Sequence, residues 1–341
     1  MQAECGELRR GFGECRLTPE SLDDLWHLSH LIVPGSLVFA ITFRSVETAT
    51  DRLRPEKPEK RPVRLGIRVE RVEFHASAAR LRIAGPIEHG PELGSYHTIN
   101  LEPYTEVSVV RSWRPTDLER VERAVRASVF GAVHVLALEE GEAELYRVRQ
   151  FGPEFVGGVT AGSAKGDEGG GRRAFFERVQ DLVRLLEGAL VVAGPGFVKE
   201  EFIAFLKESL PDLAGRTTIV DTRRIGRGAV QDAIGQGVLE RLAGDRELAR
   251  EVNLMEEVMR RIATDGAVAY GINETRRAVE YGAAEQVLVV DRLLHDPATR
   301  TMMEGAEQIG ASIAVLSSGF EPGERLDGLG GVAALLRYRL R

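Results

Sequence analysis

Residues 189–210 read ALVVAGPGFVKEEFIAFLKESL. An uncharged apolar run ends in Gly194-Pro195-Gly196-Phe197 and passes into a charged amphipathic stretch, the pattern of a strand, a tight turn and a helix. A glycine-rich turn in that place raises the question of phosphate binding. A dinucleotide fingerprint needs a third glycine where helix packs on strand, and Val198 and Lys199 occupy that region. A P-loop needs Gly-Lys-Ser/Thr, and Gly196 is followed by Phe197. Both phosphate readings fail. Two remain: a structural turn in which Gly194 and Gly196 supply permissive dihedrals while Phe197 tucks inward, or a turn presented to something larger than a nucleotide.

The surrounding sequence extends the strand–helix alternation. VHVLALEEGEAELYRVRQF predicts a β-hairpin turning at Glu140-Gly141. A flexible GSAKGDEGGGRR loop follows, then a helix over AFFERVQDLVRLLEG, the strand and helix quoted above, a strand TTIVD, and helices from 228 to 262. This is a mixed sheet covered by helices. GAVAYG, NETRRAVEYGA, QVLVVD, ATRTMMEGAEQIG and ASIAVLS repeat the alternation in a smaller α/β sandwich.

Upstream the texture changes. SLVFAITFR, VRLGIRVERVEF, ARLRIAG, YHTINL and EVSVVRSW are short alternating or β-branched runs linked by Gly, Pro and Asn turns, which predicts a small, strongly bent β-barrel. Before them, LTPESLDDLWHLSHLI predicts a helix capped by Thr18 with Pro19 in its first position. Thr116-Asp117-Leu118-Glu119 has the form of a capping box opening a connecting helix over 117–127. Three domains are expected, over residues 1–125, 126–256 and 257–341.

Composition bounds the function. With 43% apolar and 28% charged residues the chain is globular rather than disordered. No apolar run reaches the roughly 18–20 residues of a membrane span, and MQAECGELRR has no signal-peptide core. Cys5 and Cys15 are too few and too near the start for a disulfide framework or a zinc site, so a reduced, cytoplasmic, soluble monomer is expected. A net charge of −7 argues against a general nucleic-acid coat; any RNA contact must come from local patches. DRLRPEKPEKRPVR (51–64) is one, a base-rich loop held extended by its prolines. The glycine-rich segment 160–173, with Lys165, Arg172 and Arg173, is either a second patch or a solvated linker.

Catalytic signals are sparse. Glu20, Asp23 and Asp24 cluster at a helix start, where they either hold a divalent metal for RNA cleavage or complement the helix dipole. The seven histidines form no metal-ligand pairing. Ser317-Ser318-Gly319 lacks a nucleophile elbow and looks like a turn.

Several strings together resemble the Pelota family, ribosome-rescue relatives of the eukaryotic and archaeal class-I peptide-release factors. They are LTPESLDDLWHLSHLIVPGSLVFAITFR, GSYHTINLE, the KG loop followed by AFFERV, VVAGPGFVKEEF, AVAYGINETRRAVEYGAAEQVLVVD and SSGFEPGERLDGLGGVAALLRY, in the family's order. The ending three residues after Tyr338, without an acidic tail, is similar to archaeal members. The resemblance implies an Sm-like barrel, an RNase H-like central domain and an L7Ae/L30e-like α/β sandwich. It implies a tRNA mimic that enters the empty A site of a stalled ribosome, delivered by GTP-bound elongation factor 1α, with an ABC-type ATPase helping to split the subunits.

On this resemblance Pro195, Gly196 and Phe197 dock on the GTPase. Arg44, Arg52, Arg54, Lys57, Lys60, Arg61 and Arg64 meet RNA in the decoding centre, and Lys165, Arg172 and Arg173 meet RNA or the GTPase. Tyr96, His97 and Thr98 match a family string, and His97 is read as structural. One departure matters. Release factors carry Gly-Gly-Gln, and this chain has GDEGGGRRAFF in the comparable loop and no Gly-Gly-Gln anywhere. The stop-codon motifs Asn-Ile-Lys-Ser and Tyr-x-Cys-x-x-x-Phe are also absent. Codon-independent binding without peptide release is therefore expected, with no cofactor required. The alternative is a divalent-metal-dependent endoribonuclease acting through Glu20, Asp23 and Asp24.

Overall fold

Alternation and glycine punctuation shape the first part of the chain. The computed structural model describes residues 1–45, 60–127, 132–161, 170–238, 242 and 246–340. The chain divides into two units, Met1–Val129 and Phe130–Arg341.

In the first unit, β1 (Gln2–Cys5) and β2 (Phe12–Thr18) precede helix α1 (Leu22–Leu31). Strands β3 (Leu37–Ser45), β4 (Lys60–Arg68), β5 (Arg71–His75), β6 (Arg80–His89), β7 (Tyr96–Leu101) and β8 (Val107–Ser112) follow, and helix α2 (Pro115–Ala127) ends the unit. The strands form one antiparallel sheet in the order β1-β2-β8-β3-β4-β6-β5, with β7 on β6. The sheet curls around a single core. Leu17, Val38, Leu65, Ile83, Leu101 and Val109 come from different strands yet share one buried cluster with Leu25 and Leu28 of α1, which is the bent barrel expected. Gly85 permits one bend: a Cβ there would lie 1.8 Å from the carbonyl oxygen of Arg68.

Three expectations are corrected here. Thr18 does not cap α1, because it is the last residue of β2, paired with Gln2. Ser21 caps instead, in a reciprocal box with Asp24. Thr116 lies inside the first turn of α2, which starts at Pro115, and Asp117 accepts from the Arg114 amide (3.0 Å) and the Arg111 guanidinium (2.6 Å). Cys5 and Cys15 are not free thiols: they oppose one another across β1 and β2, Cα atoms 4.0 Å apart, and are joined by a disulfide. A ten-residue spacing conceals that antiparallel pairing brings them face to face.

The second unit holds two sheets. β9 (Val133–Glu139), β10 (Glu142–Arg149) and β11 (Gly152–Thr160) run antiparallel. Helix α3 (Gly170–Val183) leads to β12 (Ala189–Gly194), α4 (Val198–Ser209), α5 (Pro211–Gly215) and β13 (Thr217–Asp221). β12 lies parallel between β9 and β13. The two faces of this mixed sheet carry separate cores. Leu136, Leu190 and Val192 pack with Phe175, Phe176, Phe202 and Leu206 from α3 and α4. Val135, Val191 and Val220 pack with Ala229 and Val230 of α6 (Arg227–Gly235). The period-2 alternation of each strand decides which residue serves which core.

Helix α7 (Arg246–Ala263) links the sheets, with Leu248 in a core of the first and Met255 and Val258 in a core of the second. β14 (Val268–Tyr270), α8 (Ile272–Glu280), β15 (Ala284–Val290), α9 (Pro297–Gln308), β16 (Ser312–Leu316), α10 (Glu321–Gly328) and β17 (Val332–Leu336) complete the chain. Their sheet has the order β14-β17-β15-β16.

Candidate functional site

The turn between β12 and α4 is built by two glycines acting differently. Gly196 sits at φ +66°, the left-handed region that favours glycine. Gly194 is needed for space: a Cβ there would stand 1.9 Å from the Leu138 carbonyl oxygen, so only glycine lets β12 end against β9. Phe197 is 81% exposed, which overturns the inward-tucked reading. The buried face of α4 is already filled by Phe202, Ile203 and Leu206, and Phe197, one residue before the helix, stands clear of it. Glu200 and Glu201 occupy the first helical turn, the end that favours anions.

Lys199 is the surprise. Its side chain is 1% exposed, among the largest fully buried side chains of the described residues. The ammonium donates to the Gly196 carbonyl and lies 2.7 Å from Asp221 at the end of β13 and 3.4 Å from Glu200. A buried ammonium persists only when paired in this way. In the sequence Lys199 bears only on excluding a nucleotide fingerprint. A signal was present: Lys199 falls three, four and seven positions before Phe202, Ile203 and Leu206, on the apolar face of the helix.

The candidate cations distribute unevenly. Arg172 and Arg173 belong to helix α3 rather than to a loop. Arg172 bridges Glu140 in the β9–β10 turn (2.5 Å) and Glu201 in α4 (2.7 Å), so its charge is matched internally and it braces the flank of the β12–α4 turn. Arg173 is exposed, 3.4 Å from Glu177. Lys165 lies outside the described residues.

In the first unit, Arg52, Arg54 and Lys57 also lie outside the described residues. Residues 60–64 are strand, not loop: they form the first half of β4, where Arg61 pairs with Arg44, Lys60 with Ser45 and Arg64 with Ile41 of β3. Arg44, Lys60 and Arg61 are thus gathered at one end of an antiparallel ribbon. Arg64, further along, is exposed with its guanidinium 5.3 Å from the Phe39 ring centre. Tyr96, His97 and Thr98 lie on β7, with Tyr96 exposed and His97 half-buried.

The acidic cluster has structural work. Asp24, buried, accepts from the Glu20 and Ser21 amides at 2.8 and 3.1 Å and lies 2.9 Å from the Met1 ammonium. Glu20 accepts from the Gln2 side-chain amide at 2.8 Å and from the same ammonium at 3.3 Å, and both hold its carboxyl below the usual range. Asp23 sits in the first turn of α1. Asp24 caps the helix, and Asp24 with Glu20 ties down the start of β1, so the geometry gives the nuclease alternative no support. Among the described residues no group of three or more His, Cys, Asp or Glu is placed to hold a metal ion.

Residues 1–125 match the Pelota N-terminal domain, and residues 248–340 match eRF1 domain 3. Over 340 residues the chain is 64% identical to a protein pelota homolog of Methanoculleus marisnigri, covering 100% of both. The chain belongs to the Pelota family. A pelota homolog of Methanosphaerula palustris is 59% identical over the same length and coverage. The fold is that of the Thermoplasma acidophilum Pelota protein, at a TM-score of 0.80 with 22% identity and 100% of each chain covered. It is shared more loosely with Saccharomyces cerevisiae Dom34, at a TM-score of 0.51 and 18% identity, covering 100% of this chain and 98% of that one. Dom34 is described as a translation termination-like factor involved in RNA quality control pathways and interacting with Hbs1. The three architectures implied by the Pelota resemblance, a barrel, a mixed sheet between helices and a small α/β sandwich, are those of the fold. Among the described residues no helix is long and apolar enough to cross a membrane.

Proposed function

We propose that this Pelota-family chain is a ribosome-rescue and mRNA-surveillance factor. It acts as a tRNA mimic in the empty A site of a stalled ribosome, is delivered by GTP-bound elongation factor 1α, and promotes subunit separation with an ABC-type ATPase. It works in the cytoplasm, where ribosomes are, and needs no cofactor of its own. The observation that carries the reading is full-length identity to pelota homologs together with the missing Gly-Gly-Gln. Without that tripeptide nothing brings water to the peptidyl ester, so rescue ends in splitting rather than release.

The work divides among three domains, over 1–125, 126–256 and 257–341. The first brings the Arg44/Lys60/Arg61 ribbon and the adjoining bases to RNA backbone, contacts that ignore sequence. The second presents Phe197 to the GTPase, an aromatic anchor of the type that dominates binding hot spots. The third meets the partner ATPase.

The test is titration of the whole chain against archaeal elongation factor 1α carrying a non-hydrolysable GTP analogue or GDP. Binding confined to the GTP state is expected. Equal binding to both states, or to neither, would overturn GTPase delivery.

A further inference from the structure

We infer that Lys199 is the positioning residue of the docking turn, its buried ammonium holding the Gly196 carbonyl and the Asp221 carboxylate so that Phe197 is projected ready to bind. The inference rests on the docking role proposed for Phe197 and deepens it.

The turn has little else to hold it. Nothing lies within 4 Å of the Cβ position of Gly196, so no packing fixes that residue. Pro195 has no amide hydrogen to donate. Phe197 caps α4 without a side-chain hydrogen bond, and its ring is in solvent. Two backbone bonds tie the turn's ends, Thr222 N–H to the Gly194 carbonyl (3.3 Å) and Glu201 N–H to the Phe197 carbonyl (3.2 Å). Lys199 reaches the middle of the turn, the Gly196 carbonyl, from inside the protein.

Stability alone does not call for a charge there. Replacing a buried ion pair by apolar groups of similar volume is often neutral or favourable, and Lys199 shares its face of α4 with Phe202, Ile203 and Leu206. What an apolar side chain cannot do is bond a carbonyl in a left-handed turn and an outward carboxylate together. The Asp221 side chain is 90% exposed, so the ammonium is the buried half of a clamp whose other half is at the surface. A turn held in this way loses less freedom on binding, and an anchor presented in one conformation avoids the affinity lost when only a fraction of molecules are competent.

The experiment is a double-mutant cycle on the full chain, titrated against elongation factor 1α with a GTP analogue. Phe197→Ala should weaken binding about 30-fold. Lys199→Met should weaken it about tenfold, as a smaller competent fraction of the turn would, at a melting temperature close to wild type. Lys199→Arg should restore part of the loss. Because Lys199 acts through Phe197, adding Lys199→Met to Phe197→Ala should change little further. Asp221→Asn, which keeps the size of the side chain, should lose about threefold by weakening the clamp, and it serves if Lys199→Met does not fold.

Each alternative has its own signature. No effect of Phe197→Ala overturns the docking role itself, and the inference with it. A loss with Phe197→Ala but none with either clamp variant overturns only the inference. Fully additive losses would mean that Lys199 does not act through Phe197, and would also overturn it.

Discussion

Two regions of this chain are candidates to meet partners, and they are built on opposite physical plans. The β3–β4 ribbon gathers like charges along paired strands, with Arg44 opposite Arg61 and Lys60 beside them. The β12–α4 turn carries one exposed ring on a Gly-Pro-Gly bend that a buried lysine holds from beneath. A ribbon of cations suits a partner whose charge is repeated and whose sequence is irrelevant, since each cation contributes a little and none needs exact placement. A single aromatic anchor suits a protein pocket, where placement is everything. The difference implies that the turn should be brittle to substitution and the ribbon tolerant.

Gly194→Ala should have the largest effect. The added methyl would meet the Leu138 carbonyl oxygen at 1.9 Å, a backbone atom in the middle of the sheet that cannot swing aside. A loss of about 4 kcal/mol, in the range where core strain dominates, should appear in chemical denaturation. A near-neutral outcome would show that the β12 end is looser than its geometry. Phe197→Ala comes next. It should cost about 2 kcal/mol of GTPase affinity, typical of a buried aromatic hot spot, while leaving the melting temperature unchanged because the ring is in solvent. A lower melting temperature at unchanged affinity would reverse that assignment.

These two residues also show what the sequence could and could not reveal. The turn itself was legible, because an uncharged run meeting Gly-Pro-Gly has few other readings, and so was the hairpin through Glu140-Gly141, which closes β9 onto β10. The direction of Phe197 was not. It depends on which residues of α4 already fill the core, and that is settled in three dimensions. Gly194 and Gly196 look alike in sequence, yet one answers to a neighbouring strand and the other to its own dihedral. Lysines are mostly solvated, so only its place on an apolar helical face marks Lys199 as buried. Thr18 suits a helix cap and a strand end equally, and the pairing with Gln2 of β1 that makes it a strand end is formed across a turn. The Cys5–Cys15 pairing was hidden in the same hairpin. The prolines of residues 51–64 predict a loop, yet residues 60–64 are strand, with Pro62 in β4 opposite Phe43.

His134 offers a way to change the stability of the turn's supporting sheet without touching the turn. It lies near the start of β9, paired with Arg147 and Leu190, whereas the turn leaves the far end of β12. Burial first, then Arg147, Arg149 and Arg216, push its pKa from 6.5 down to about 4. Between those values the unfolded chain takes up a proton that the folded chain refuses. Its contribution is therefore complete above pH 6.5 and is lost as the pH falls toward 4. Arg216 is exposed, so water screens its share, and a loss of about 1 kcal/mol per pH unit is expected, below the unscreened limit. Denaturation at pH 7, 6 and 5 should show it, and His134→Gln should flatten the profile. GTPase affinity per folded molecule should not follow this loss; if it does, the turn is less insulated from its sheet than the two-plan picture holds.

The smallest single-site effects belong to the ribbon, and their smallness is the point. Arg64→Gln removes a guanidinium lying over Phe39, an exposed contact worth about 0.5 kcal/mol, so stability should barely change. Ribosome affinity should fall modestly, and each phosphate contact removed should shallow the dependence of log K on log salt by about 0.7. Arg44→Gln, Lys60→Gln and Arg61→Gln should each do the same, and combining them should add, because diffuse charges do not share a pocket. Filter binding of each variant to ribosomes across a salt series measures both quantities. A single substitution that abolished binding at every salt would make the ribbon an anchor like Phe197 and collapse the contrast. An unchanged slope in the combined variant would place the RNA contact elsewhere in the chain.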